Sequence, residues 1–347
     1  MAINTVAQWV VSGLVLLTTG AGLGCSSSTA PTPAPTPTGD GGGGGGEGGT
    51  PTKQPPDPPS GWRAVVGAGG AFVQTFDERT WETRTVGTRD LEAVACVGNL
   101  MGWATGVEGL VMHTEDGGRT WASQNPGLAR PLHAIRFGRL DLGLVAGDRG
   151  ALAVTRDAGA TWSSIATSPP STTTLRGVAV AGLAHLAIVV GDGGTILRSI
   201  DDSASFQPVT GVGAEDLHGV AVDSAAHLVL AVGTSGAIWA STDRGASFHR
   251  ETIATRPLHA VALHESGTRA IAAGDDGLVL QRSDSGAWTT VASGTHETLR
   301  AALVPDDGAV DYVAGARGTL LARRPGAAQL VPIASGTLAD LFGLEDL

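Results

Sequence analysis

One short phrase, two glycines three residues apart between apolar runs, occurs seven times along this 347-residue chain. The first glycines are Gly67, Gly106, Gly147, Gly191, Gly233, Gly274 and Gly315, and the second are Gly70, Gly109, Gly150, Gly194, Gly236, Gly277 and Gly318. Successive copies are 39, 41, 44, 42, 41 and 41 residues apart. A copy such as Val190-Gly191-Asp192-Gly193-Gly194-Thr195-Ile196 reads as strand, tight turn, strand, since such hairpins call for positive φ, which glycine adopts freely. Short strands repeating every ~40–45 residues predict a β-propeller. The expected fold is all-β, with seven four-stranded blades over residues 61–347.

A second phrase precedes each turn from the second repeat onward. It reads Leu91-Glu92-Ala93-Val94, Leu132-His133-Ala134-Ile135, Leu175-Arg176-Gly177-Val178, Leu217-His218-Gly219-Val220, Leu258-His259-Ala260-Val261 and Leu299-Arg300-Ala301-Ala302. Its small residues suit the crowded innermost strand, A. Strand B follows, then the glycine turn, then strand C. The first repeat lacks room for a strand A, whereas Leu338–Leu344 is left over at the end. That surplus predicts a ring closed by the C-terminal strand, which removes free sheet edges.

A third phrase follows strand C. Thr114-Glu115-Asp116-Gly117-Gly118-Arg119-Thr120-Trp121 is its sharpest copy, with Asp157 and Trp162, Asp201 and Phe206, and Asp243 and Phe248 in the next three. Shortened copies carry Asp77 and, farther along, Asp284 with Trp288. This is an Asp-box. Its carboxylate is expected to accept backbone N–H groups in a turn, and its aromatic ring to pack on the blade. One carboxylate per box is too few for a hard cation, so no metal is expected.

Asp-boxes joined to these strand and turn phrases resemble the photosystem II assembly/stability factor type of propeller over residues 61–347. The resemblance implies seven blades and a non-catalytic, assembly or chaperone-like role. It implies nothing about photosystems, because similar proteins occur in non-photosynthetic bacteria. Asp-boxes also occur in sialidases, some polysaccharide hydrolases and sortilin-type receptors, so a sialidase-like glycan-binding protein or glycoside hydrolase is the alternative.

Residues 1–25 read as a signal peptide. The apolar core Trp9–Leu17 is too short to span a bilayer, which needs roughly 20 residues. Gly22-Leu23-Gly24-Cys25-Ser26 resembles a lipoprotein processing site, with Cys25 the lipidated residue. Residues 26–60, rich in Ser, Thr, Pro and Gly, read as a disordered tether. The expected location is the bacterial cell envelope, outside the cytoplasm, with membrane contact through the lipid anchor. The second cysteine, Cys96, lies in an apolar run and reads as a buried thiol.

Formal net charge is −11 and Lys53 is the only lysine, which excludes the basic stripe that nucleic acid requires. No cofactor motif occurs: the glycine phrases lead into strands and not into helix N-termini. A sialidase-like site needs a tyrosine, and Tyr312 is the only one. One constellation stands out. The residue after the strand-A leucine is His133, Arg176, His218, His259 and Arg300 in five consecutive repeats. The B–C turns beside them carry Glu108, Asp148, Arg149, Asp192, Asp275, Asp276 and Arg317. Two readings stand: a ring that binds an acidic peptide or other carboxylate ligand, or structural pairs within each blade. The expected partner is a protein or peptide, with a glycan as the second possibility.

Overall fold

The computed structural model describes residues 62–346 apart from 99, 168–171, 253, 308–309 and 325. The leader, the tether and Cys25 lie outside the described residues. Seven four-stranded antiparallel sheets make up a propeller. In the fourth blade, strand A is Leu175–Ala181, B is Leu186–Gly191, C is Thr195–Ser199 and D is Gln207–Pro208. Strands A of the second, third, fifth, sixth and seventh blades begin at Leu91, Leu132, Leu217, Leu258 and Leu299.

The first blade is assembled from both ends of the domain. Its strand A is Leu341–Asp346, followed by Arg63–Gly67, Ala71–Thr75 and Trp81–Thr85. Leu344 pairs with Val65 and Leu341 with Gly67. The C-terminal strand therefore closes the ring. Its leucine is Leu341, fully buried, and not Leu338, which is 86% exposed. Counting from the turn glycine accounts for the offset: Leu341 faces Gly67 as Leu132 faces Gly147.

Strand A is crowded for a definable reason. A Cβ on Gly177 would sit 3.2 Å from the carbonyl oxygen of His218, on the next blade. The strand-A leucines are all fully buried, each worth about 1.5–3 kcal/mol of burial. The glycine turns have two separate causes. Gly194 has φ +70°, the left-handed conformation, whereas Gly191 is extended at φ −169°. Gly191 is required because a Cβ there would fall on the carbonyl oxygen of Thr174.

In the turns after strand C the aspartate bonds form a closed set. Asp116 Oδ1 accepts from Thr114 Oγ1 and from the Thr120 N–H, both at 2.8 Å, and Oδ2 accepts from Thr120 Oγ1 at 2.7 Å. Asp157, Asp201 and Asp243 repeat the pattern, and Asp77 makes a version one residue shorter. The aromatic rings do not all stay on their own blade: Trp162 meets Phe137 of its own strand A edge-on at 6.2 Å, whereas others cross to the preceding blade. Trp121 meets Phe72 of the first blade edge-on at 5.5 Å, and Phe206 and Phe248 join clusters with residues of the third and fourth blades.

The sixth blade departs from the expected box. Arg282 occupies the hydroxyl's place, and the turn is closed by backbone bonds between Ser283 and Ala287. Asp284 sits exposed at the tip of that turn, so it is not a box carboxylate. Arg282 and Trp288 instead both bond Glu251 of the fifth blade, at 3.3 and 2.7 Å.

Candidate functional site

Propeller topology brings the B–C turns and D–A loops to one face. The residue after each strand-A leucine lines the channel mouth there: Glu92, His133, Arg176, His218, His259 and Phe342 surround one hollow. Arg300 stands at its rim, exposed, with its guanidinium 5.8 Å from the Phe342 ring. The ring thus has seven members; Glu92 and Phe342 complete the five expected from sequence.

Three members are tied down within their own blades. His133 Nε2 lies 3.0 Å from Asp148 Oδ1, and His259 Nε2 lies 2.8 Å from Asp275 Oδ1. Arg176 donates to both oxygens of Asp192, at 2.5 and 3.2 Å. Each aspartate directly follows the first turn glycine. Thr174 and Thr298, from the next blades, donate to Asp148 and Asp275 at 3.1 and 3.0 Å. Burial pulls both carboxyls upward, but these bonds outweigh it and hold them below the ordinary aspartate value.

The other members have no carboxylate at that first turn position, because Ala68, Val107, Thr234 and Ala316 stand there. His218 Nδ1 lies 2.9 Å from the carbonyl oxygen of Leu258, and its ring stacks on His259 at 5.1 Å. Burial pushes its pKa below the ordinary histidine value. Glu92 is raised, chiefly by burial and against the opposing charge of His133.

The second variable turn position behaves differently from the first. Glu108, Arg149, Asp276 and Arg317 take the left-handed conformation, with φ from +53° to +57°. Three of their side chains pair with D–A loops: Glu108 with Arg89, Asp276 with Arg256 and His296, and Arg317 with Glu297. A D–A loop aspartate can also accept from the turn's backbone. Asp216 accepts from the Gly193 N–H at 2.8 Å, and Asp340 from the Arg317 N–H at 2.9 Å. Both loop aspartates immediately precede a strand-A leucine, a signal present in the sequence that the repeat reading passed over.

Below the mouth, a cavity of about 320 Å³ runs between valines and alanines of the inner strands. Its far end is acidic, with Glu265, Asp306, Glu345 and Asp346. Arg136 pairs there with Glu345. Cys96 is buried and bonded to the backbone oxygen of Asp346. Tyr312 is only 1% exposed, edge-on to Trp81 and beneath Arg63, and burial raises its pKa to about 12. A phenol so placed cannot serve as a nucleophile at the mouth. Among the described residues, no group of three or more His, Cys, Asp or Glu is arranged to hold a metal ion.

No family model matches the chain, and no curated protein matches it. Solved structures do. The chain is similar to a structure of YCF48 bound to D1 peptide, at 20% identity and a TM-score of 0.60, over 77% of this chain and 88% of that one. It is also similar to YCF48 from Cyanidioschyzon merolae, at 17% identity and a TM-score of 0.57, over 72% and 86%. Likeness at these identities establishes the shared propeller fold.

Proposed function

We propose that the chain is a non-catalytic binding propeller that receives a peptide segment of a partner protein on its B–C and D–A face. The observation that carries this reading is the split of the channel mouth. His133, Arg176 and His259 spend their polar groups on aspartates of their own blades, which makes them frame. Arg300 is exposed and stacked on an aromatic ring, and His218 lacks a carboxylate in its own turn, so these two are the groups placed to meet a ligand. A guanidinium resting on Phe342 suits a carboxylate-bearing, partly apolar peptide. Support also comes from fold likeness to YCF48, one structure of which is bound to D1 peptide. The buried Tyr312 weighs against the sialidase-like alternative. The Cys25 motif and the 26–60 segment support a lipid-anchored, extracytoplasmic location.

The test is capture from solubilised envelope membranes by the purified chain, with wild type beside R300A and H218A. The expected result is a defined set of proteins, identified by mass spectrometry, held by wild type and lost from both variants at unchanged melting temperature. Capture identical in all three chains would overturn the reading.

A further inference from the structure

The opposite face carries a second surface. There the A–B loops and C–D turns meet, and four apolar side chains project from them: Leu100, Leu140, Leu183 and Ile200, at 37, 46, 64 and 55% exposure. Three of these belong to one knitted region on the third and fourth blades. Arg139 Nη1 and His185 Nδ1 both reach Asp202 Oδ1, at 3.1 and 2.9 Å, and Arg156 donates to the Asp202 carbonyl at 3.0 Å. Arg244, from the fifth blade, donates to the Ala184 carbonyl oxygen at 2.5 Å. Leu140, Leu183 and Ile200 flank these bonded residues, so their projection is fixed by the scaffold.

We infer that this face rests on a lipid bilayer, with Leu140, Leu183 and Ile200 inserted into its interface. The point of chain entry supports it. Arg63 begins the first strand on this same face, where it pairs with Glu78 of a C–D turn and Asp307 of an A–B loop, at 3.0 and 2.9 Å. The described chain therefore begins, at Trp62, on the leucine-bearing side, and Cys25 lies 37 residues before it in sequence. For that entry argument the inference rests on the anchored reading above. Shape also favours lipid: the tips stand singly among charged groups, whereas a protein interface wants a continuous apolar core. The four arginines at 139, 156, 198 and 244 face five carboxylates, the three nearby box aspartates with Asp141 and Asp202, so the patch carries no net positive charge. Insertion would thus be driven by the apolar tips, with little dependence on anionic lipid. In this arrangement the channel mouth with Arg300 points away from the membrane.

The test uses the full chain carrying C25A, which removes the acylation site, sedimented with phosphatidylcholine vesicles containing zero or one-third phosphatidylglycerol. The expected result is pelleting that varies little with phosphatidylglycerol and falls roughly tenfold when L140S, L183S and I200S are added. The leader's apolar run is common to both chains, so the difference belongs to the loops. Equal pelleting of the two chains, or none by either, overturns the inference. If the wild-type chain then labels with lipid and stays on membranes, the anchored reading survives alone. Melting temperature checks that the triple variant is folded; should it melt early, L183S alone replaces it, with the same two outcomes.

Discussion

At the scale of single residues, two glycines of positive φ make unequal forecasts. Gly118 combines φ +73° with neighbours at 2.8 Å (Phe72) and 2.9 Å (Trp62) from a would-be Cβ. Gly193 has φ +63° and open space around it. G118A should therefore cost about 2–4 kcal/mol, from strain plus a displaced aromatic contact, and G193A about 1 kcal/mol from strain alone. Urea midpoints of the two variants decide it; equal losses would mean that interblade packing at the box glycine contributes little. The box carboxylates give a pH forecast. Asp77 is held at about 2 by the N–H groups of Thr80 and Arg79, and Asp201 at about 2 by the Ser205 and Ser199 hydroxyls. Asp157 and Asp243 are lowered by their box hydroxyls, and in Asp116 the same bonds outweigh an upward pull from burial. Depressed folded values mean a stabilising contribution complete above the ordinary aspartate value of 3.8 and lost as pH falls toward 2. Thermal melts from pH 5 to 2 should steepen downward below 4, and D201N should flatten that slope.

At the scale of elements, the mouth ring divides into frame and free members, and paired variants separate them. H133A with H259A leaves Asp148 and Asp275 short of a partner and should lower the melting temperature by several degrees while ligand capture persists. R300A with H218A should do the reverse. Six of the seven strand-A leucines, the turns and five of the C–D turns with an oriented aspartate were legible from repeats alone, because each is a local phrase recurring in phase; repeat spacing sets the seventh leucine three residues early, at Leu338. The division of the ring was legible in principle. The first turn residue is Asp in the blades where the ring residue is His133, Arg176 or His259, and is not Asp where it is His218 or Arg300. Seeing this needs two phrases about 15 residues apart to be read as one contact, which follows from the antiparallel register of strands A and B. What the repeat could not convey was the direction of packing. Trp121, for one, crosses to Phe72 of the preceding blade, and a phrase within one blade carries no sign of its neighbour. The loss of the sixth box was hidden by Asp284, which stands at the right spacing while Arg282 has replaced the hydroxyl that orients it.

At the scale of the whole molecule, closure is the dominant fact. Removing residues 341–347 should expose the edge of Arg63–Gly67 and yield a chain that unfolds broadly or oligomerises; gel filtration with analytical ultracentrifugation would show it, and a stable monomer would refute it. The two ends of the channel also differ chemically, histidines and arginines framed by aspartates at one mouth and mostly carboxylates at the other, which gives the ring a defined polarity for any segment entering it. Closure has a further consequence, in time. The first strand of the domain to be synthesised waits for the last one, some 280 residues later, before its inner edge is paired. Six blades can form in order, each from contiguous sequence, yet the first stays unfinished until the final residues arrive. A chain delivered N-terminus first across a membrane would emerge with that edge open until Leu341–Asp346 followed it.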